Sequence, residues 1–176
     1  MQAVSKGVPM SLHTNLAGRL RNTNLPKTHG LLPVFEAVVN SIQSLEEADR
    51  LSDGQITLEI LRNPQQPMHS EKEAEHEIIK GFRVTDNGIG FNDANMKSFE
   101  TLDSDHKIAK GCRGIGRLMW LKAFDLADVE SVFQQGGKYF KRCFSFSAQH
   151  GVKSEPTAVE AHDTATGCSL SLITDS

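Results

Sequence analysis

The stretch Phe82-Arg-Val-Thr-Asp-Asn-Gly-Ile-Gly-Phe91 constrains this chain more than any other. Phe82 and Val84 alternate with Arg83 and Thr85, the period of a strand with one buried face. That period places Asp86 on the same side as Phe82 and Val84. A carboxylate at the end of an apolar face needs partners, because an unpaired buried charge is strongly unfavourable. The chain then breaks at Asn87-Gly88, a turn signal, and Gly90 follows with no side chain. Bare backbone beside a strand-end carboxylate can receive a flat ligand, with Asp86 accepting a hydrogen bond from it. Taken alone, the stretch reads better as a hairpin turn after an ordinary strand, since short glycine motifs recur by chance. Two further stretches change that balance.

The remaining elements follow from periodicity and turn residues. Leu12, Leu16 and Leu20 recur every four residues and suggest a short helix before a connector at Asn24-Leu-Pro-Lys-Thr28. A strong helix is predicted over about 30–50, with Leu31, Leu32, Phe35, Val38, Val39, Ile42 and Leu45 as its apolar stripe. Pro33 fits only in its first turn, and Ser52-Asp53-Gly54 ends it. A strand follows over 55–62 with Ile56, Leu58 and Ile60 inward, then a polar loop over 63–77, then the central strand over 78–86. A helix that is apolar nearly all round, hence buried, runs from Gly111-Cys-Arg-Gly-Ile-Gly116 to about Leu126. Strands near 128–135 and 138–148 join at Gly136-Gly137, a hairpin signal, and Cys168, Leu170 and Leu172 pattern a last strand after a polar loop. Helix, strand, strand, helix, hairpin, strand predicts an α+β two-layer sandwich: a mixed, mainly antiparallel sheet with helices on one face.

The chain's 176 residues suit one domain with at most a small extension. A net charge of −3 argues against a general nucleic-acid surface. The three cysteines, Cys112, Cys143 and Cys168, are far apart and form no CxxC pair, which disfavours a disulfide framework or zinc site and points to a reducing, cytoplasmic setting. No apolar run is long enough to span a membrane, and no signal segment opens the chain, so no membrane partner is expected.

On the 30–50 helix, Glu36, Asn40, Gln43, Ser44 and Glu47 form a polar stripe, and Glu36 and Asn40 are neighbours at four-residue spacing. A solvated face is one reading. The other is a water-and-metal site, in which a carboxylate deprotonates a water and an amide oxygen ligates Mg²⁺. The start of the buried helix at Gly114 and Gly116 is either a flexible approach or an anion site, where unpaired N–H groups and the positive helix end meet a phosphate. Lys107 and Lys110 just before it suit a polyphosphate, although exposed lysines are common.

Glu36-Ala-Val-Val-Asn40, Asp86-Asn-Gly-Ile-Gly90 and Gly111-Cys-Arg-Gly-Ile-Gly116 resemble, in order, the N box and two glycine boxes of the GHKL ATPases, whose ATP-binding fold is the Bergerat fold. That superfamily includes gyrase, heat-shock chaperones of the ninety-kilodalton class, histidine kinases and MutL proteins. The boxes span about half the chain and are specific only together. Thr166-Gly-Cys-Ser-Leu170 is placed like the family's late Gly-Thr strand motif, with Cys168 where threonine is usual.

The resemblance implies a role for each matching residue. Asp86 would bind the adenine amino group, with Gly88 and Gly90 bordering the base and Thr166 near its water network. Asn40 would ligate Mg²⁺, and Glu36 would be the general base for the attacking water. Lys107 would reach the phosphates, and Gly111, Gly114, Ile115 and Gly116 would wrap them. Residues 91–113 would form an ATP lid.

It further implies an ATPase domain over 28–176, with 1–27 as a candidate dimer contact, that closes its lid and dimerises on ATP within a larger protein. The family's last phosphate-contacting lysine or arginine comes from a following domain, so turnover by this chain alone should be slow and a nucleic-acid or protein partner would act through the remainder. Alternatives are a nucleotide-binding regulatory module, a kinase-type phosphotransfer domain, or an interaction domain with a decayed pocket. Against phosphotransfer, neither His13 nor His29 sits in an amphipathic helix of the required length.

Overall fold

The computed structural model describes residues 16–62, 79–100, 116–153, 159–160 and 165–174. Among them, α1 (Leu16–Asn22), a 3₁₀ turn (Lys27–His29) and α2 (Leu32–Glu47) precede β1 (Ile56–Arg62) and β2 (Ile79–Asp86). Then come α3 (Asp93–Glu100), α4 (Gly116–Ala123), β3 (Leu126–Gln135), β4 (Lys138–Ser147), β5 (Gly151–Lys153), β6 (Val159–Glu160) and β7 (Gly167–Ile173). The strands form one sheet in the order β1-β2-β7-β3-β4-β5, with β6 also paired to β4. The expected α+β sandwich is present, and the sheet is antiparallel at every described pairing.

Alternation along the strands sorts the two sheet faces. Val84, Leu170, Leu172, Ala127, Val129, Phe144 and Phe146 form the core with Val34 and Ala37 of α2 and Leu118, Trp120 and Leu121 of α4. The opposite face is polar: Arg83 pairs with Glu59 at 3.1 Å and Lys141 with Glu130 at 2.8 Å. Exposed pairs of this kind contribute little, so the burial on the helix side holds the layers together. The β3–β4 hairpin turns at Gly136 and Gly137, both at positive φ (59° and 78°), as a tight hairpin of this twist requires.

Helix α2 buries only part of the stripe its sequence suggests, Val38 and Leu45, and adds a neighbouring one. Pro33, Val34, Ala37, Ser41 and Leu45 face inward, while Leu31, Phe35, Val39 and Ile42 are exposed. The helix lies against β2 and α4, so only the side between them is covered. Leu58 and Ile60, expected inward, are half-exposed because β1 is the edge strand. The helix also stops earlier than Ser52: Asp49 adopts φ 55°, and the Arg50 and Asp49 N–H groups return to the Leu45 and Glu46 carbonyls at 2.9 and 3.1 Å. That pair of bonds closes a helix end through one left-handed residue.

Helix α4 ends at Ala123, three residues before its expected limit, and Leu126 opens β3. Its Trp120 indole N–H donates to the Pro33 carbonyl at 3.1 Å, which locks α4 onto the first turn of α2. Buried Arg117, in the first turn of α4, donates to the carbonyls of Ser98 and Phe99 at the end of α3 and lies over the Phe99 ring. Phe99 in turn packs on Phe91, Phe144 and Phe146, with ring centroids 5.2 to 5.6 Å apart.

Candidate functional site

Asp86 ends β2, between edge strand β1 and β7, paired laterally with Ile56 and Cys168. Its residue is only 7% exposed, so the carboxylate depends on donors inside the protein. The Ser41 hydroxyl donates to Oδ2 at 2.8 Å. The Ser44 hydroxyl and the Gly88 N–H donate to Oδ1 at 3.2 and 3.0 Å. Burial is the larger influence and pushes the carboxyl above the usual carboxylate range, against the pull of these bonds.

The turn after Asp86 is docked on both sides. The Ile89 N–H donates to the Ser44 carbonyl at 3.1 Å, and a Cβ at Gly88 would collide with the Ser44 side chain. Asn87 points outward: its Oδ1 accepts from the Gln55 N–H at 2.7 Å, and its carbonyl accepts from Arg50 at 2.9 Å. Gly90 needs glycine twice over, since its φ is +76° and a Cβ would strike the Val132 carbonyl. The following Phe91 peptide is held at both ends. Its N–H donates to Ser131 Oγ at 2.8 Å, and its carbonyl accepts from Arg142 at 2.6 Å. Arg142 also binds Asp93 at 2.5 Å, and Ser131 donates to the Gly167 carbonyl at 2.9 Å. Gly167 is backed onto the Asp86 carbonyl, which sets Thr166, its chain neighbour, at the Asp86 end of the site.

Glu36 marks the other end. It is half-buried in α2, and Gly116 opens α4 against it: a Cβ there would lie 2.7 Å from Glu36 Oε2. From Glu36 to Ser44 the helix rises about 12 Å. Helix α2 therefore carries both halves of the candidate site: the serines that bind Asp86 and, about two turns away, Glu36 beside the start of α4. Asn40 lies one turn beyond Glu36 and is exposed. Its amide oxygen is a hard donor of the kind Mg²⁺ accepts, and Mg²⁺ commonly takes only one or two protein ligands beside phosphate oxygens and water. Among the described residues, no group of three or more His, Cys, Asp or Glu side chains gathers as a metal site.

Of the residues singled out in the sequence, Asp86, Gly88, Gly90 and Thr166 thus sit together, and Glu36, Asn40 and Gly116 form a second group along α2. Lys107, Gly111, Gly114 and Ile115 lie outside the described residues, as does most of the expected lid. Sequence reasoning missed Ser41, Ser131 and Arg142. Ser41 and Ser44 are three apart on a predicted helix, a spacing that can bring both to one acceptor; Ser131 and Arg142 looked like ordinary strand residues.

A strand-end carboxylate, a glycine turn docked on a helix and an antiparallel sheet with one helical face together define the Bergerat fold that the three motifs predict. No family model and no curated protein matches the sequence. Among solved structures, the ATPase region of Saccharomyces cerevisiae topoisomerase II superposes with a TM-score of 0.54 at 14% identity. The match covers 81% of this chain and 37% of that one, and what the two share is the fold. No described helix is long and apolar enough to cross a membrane.

Proposed function

We propose that this domain binds ATP and ADP with Mg²⁺ and hydrolyses ATP. The observation that supports the reading is that α2 carries both the serines that bind Asp86, beside Gly88, and Glu36, against Gly116 of α4. Asp86 accepts a hydrogen bond from the exocyclic amino group of adenine, and Gly88 and Gly90 leave the base room against bare backbone. Asn40 would hold Mg²⁺ through its amide oxygen. The metal, when bound, supplies charge neutralisation at the phosphates. Glu36 orients and deprotonates a water beside the start of α4, where Gly116 leaves space that any side chain would fill. Lys107, Gly111, Gly114 and Ile115 belong to the phosphate-binding side of the proposal. Nucleotide binding would close the part of the 91–113 segment beyond α3 and pair two copies, with a nucleic-acid or protein partner acted on by a larger assembly in a reducing cytoplasm.

Calorimetric titration with ADP and Mg²⁺ tests the reading. The wild-type chain should bind, and Asp86→Asn should bind at least about tenfold more weakly, since the amide presents a donor to an amino group and to the serines. Equal ADP affinity in the two proteins rejects Asp86 as the base contact.

A further inference from the structure

Oδ1 of Asp86 is fully bonded before any base arrives. An ionised carboxylate offers about two lone-pair sites on each oxygen. The Ser44 hydroxyl and the Gly88 N–H both donate to Oδ1, and the Ser41 hydroxyl donates to Oδ2. An amino group that approaches Oδ1 must therefore replace one of its two donors. Gly88 cannot leave, because its N–H is a backbone group in a turn docked on α2. The serine hydroxyls are rotors. Ser41 is buried, with a 2.8 Å bond; Ser44 is half-exposed, and its bond is the longest of the three side-chain and turn bonds at 3.2 Å. A serine inside a helix also has a second acceptor within reach, the carbonyl four residues earlier, which for Ser44 is that of Asn40.

From this we infer that Ser44 is the donor a bound base displaces from Asp86, and so a specificity-determining residue of the site. The inference rests on the reading of Asp86 as the base contact. In the free protein the Ser44 hydroxyl keeps Oδ1 satisfied. On binding it turns onto its own helix and yields Oδ1 to the ligand's amino group, one donor for another. The exchange favours bases with an exocyclic amino group facing the carboxylate. A carbonyl at that position, as in guanine, donates nothing and meets the Asp86 charge.

The test is ADP and GDP affinity for the wild-type chain, Ser44→Ala and Ser41→Ala. Removing the displaced donor should tighten ADP binding about threefold to tenfold, the range one neutral hydrogen bond spans, and leave GDP weak. Ser41→Ala should weaken ADP binding, because that bond persists in the complex. Without nucleotide, carbon-detected NMR titration of Asp86 should show its pKa raised in both variants, since each loses a donor to the charged form. If the wild type binds ADP and Ser44→Ala binds it equally or more weakly, Ser44 is a fixed bracket and the inference fails alone. Equal tightening for ADP and GDP also overturns it, since that reports a wider pocket rather than an exchanged donor. If the wild type binds no nucleotide, the base-contact reading and this inference fall together.

Discussion

Gly116 begins α4 directly against the carboxylate of Glu36: a Cβ on Gly116 would lie 2.7 Å from Oε2 and 3.4 Å from the Glu36 Cβ. The first contact is with the far end of a flexible side chain, so Gly116→Ala should fold, with a melting temperature within a few degrees of wild type. Alanine is also the better helix former. The carboxylate, however, must swing away from the start of α4. Phosphate release should fall by at least about tenfold, while ADP affinity changes little, because the group displaced is the proposed general base. Unchanged turnover in Gly116→Ala would separate Glu36 from the chemistry.

Glu36 and Asn40 are one helical turn apart and should fail differently. Glu36→Ala should leave Mg²⁺-ATP affinity near wild type and cut hydrolysis by roughly 10²–10⁴-fold. Asn40→Ala should instead weaken binding in the presence of Mg²⁺, with little change in its absence. Affinities measured with and without the metal, alongside phosphate release, decide between these roles and a solvated helix face, for which neither substitution alters turnover.

Gly90→Ala should destabilise the fold by about 2–4 kcal/mol. The left-handed backbone costs an L-residue about 1–2 kcal/mol, and the clash with the Val132 carbonyl adds to it. Gly90→Asn separates the two contributions: asparagine tolerates positive φ, so a substantial loss should persist from the clash alone. Urea unfolding of both variants measures the difference, and a Gly90→Asn chain as stable as wild type would contradict the close approach.

Asp86 and Asp93 should give opposite pH signatures. The Asp86 pKa is raised by burial, so the folded state holds its proton to higher pH than the unfolded chain does. Its stabilising contribution is present below the ordinary carboxylate value and is lost as pH rises through the folded pKa. Asp93 is lowered, chiefly by its hydrogen bonds from Arg142 and Gln135, so its contribution is present above the ordinary value and is lost as pH falls. Stability of Asp86→Asn should therefore decline less than wild type between pH 4 and neutrality. Asp93→Asn should show a weaker acid-side loss. Parallel pH profiles for a variant and wild type would contradict the corresponding shift.

Cys168 should be a poor nucleophile despite its place beside the site. Burial, and then the neighbouring Asp86 charge, raise its thiol pKa far above neutrality, which suppresses the thiolate. Cys143 is exposed on the polar face of the sheet. Iodoacetamide at pH 7.5 followed by peptide mapping should label Cys143 readily and Cys168 far more slowly in the native chain. Labelling of Cys168 as rapid as that of Cys143 would show that its thiol ionises readily in the fold.

Short-range signals in the sequence determined the parts of this protein that neighbours along the chain decide. Strand alternation put Asp86 on the core side with Val84, paired glycines made the β3–β4 hairpin, and the order of periodic segments predicted a mixed, mainly antiparallel sheet under helices. Packing decided the rest. Of the two apolar stripes α2 offers, Val34, Ala37 and Leu45 are buried and Phe35, Val39 and Ile42 are not, because the helix is caught between β2 and α4. The need of Asp86 for partners was legible, but Ser41, 45 residues away, was not. Neither was the clamp on the Phe91 peptide by Ser131 and Arg142. Periodicity fixes which way a side chain points from its own element, whereas a hydrogen bond also requires the distance between two elements, and only tertiary packing sets that distance.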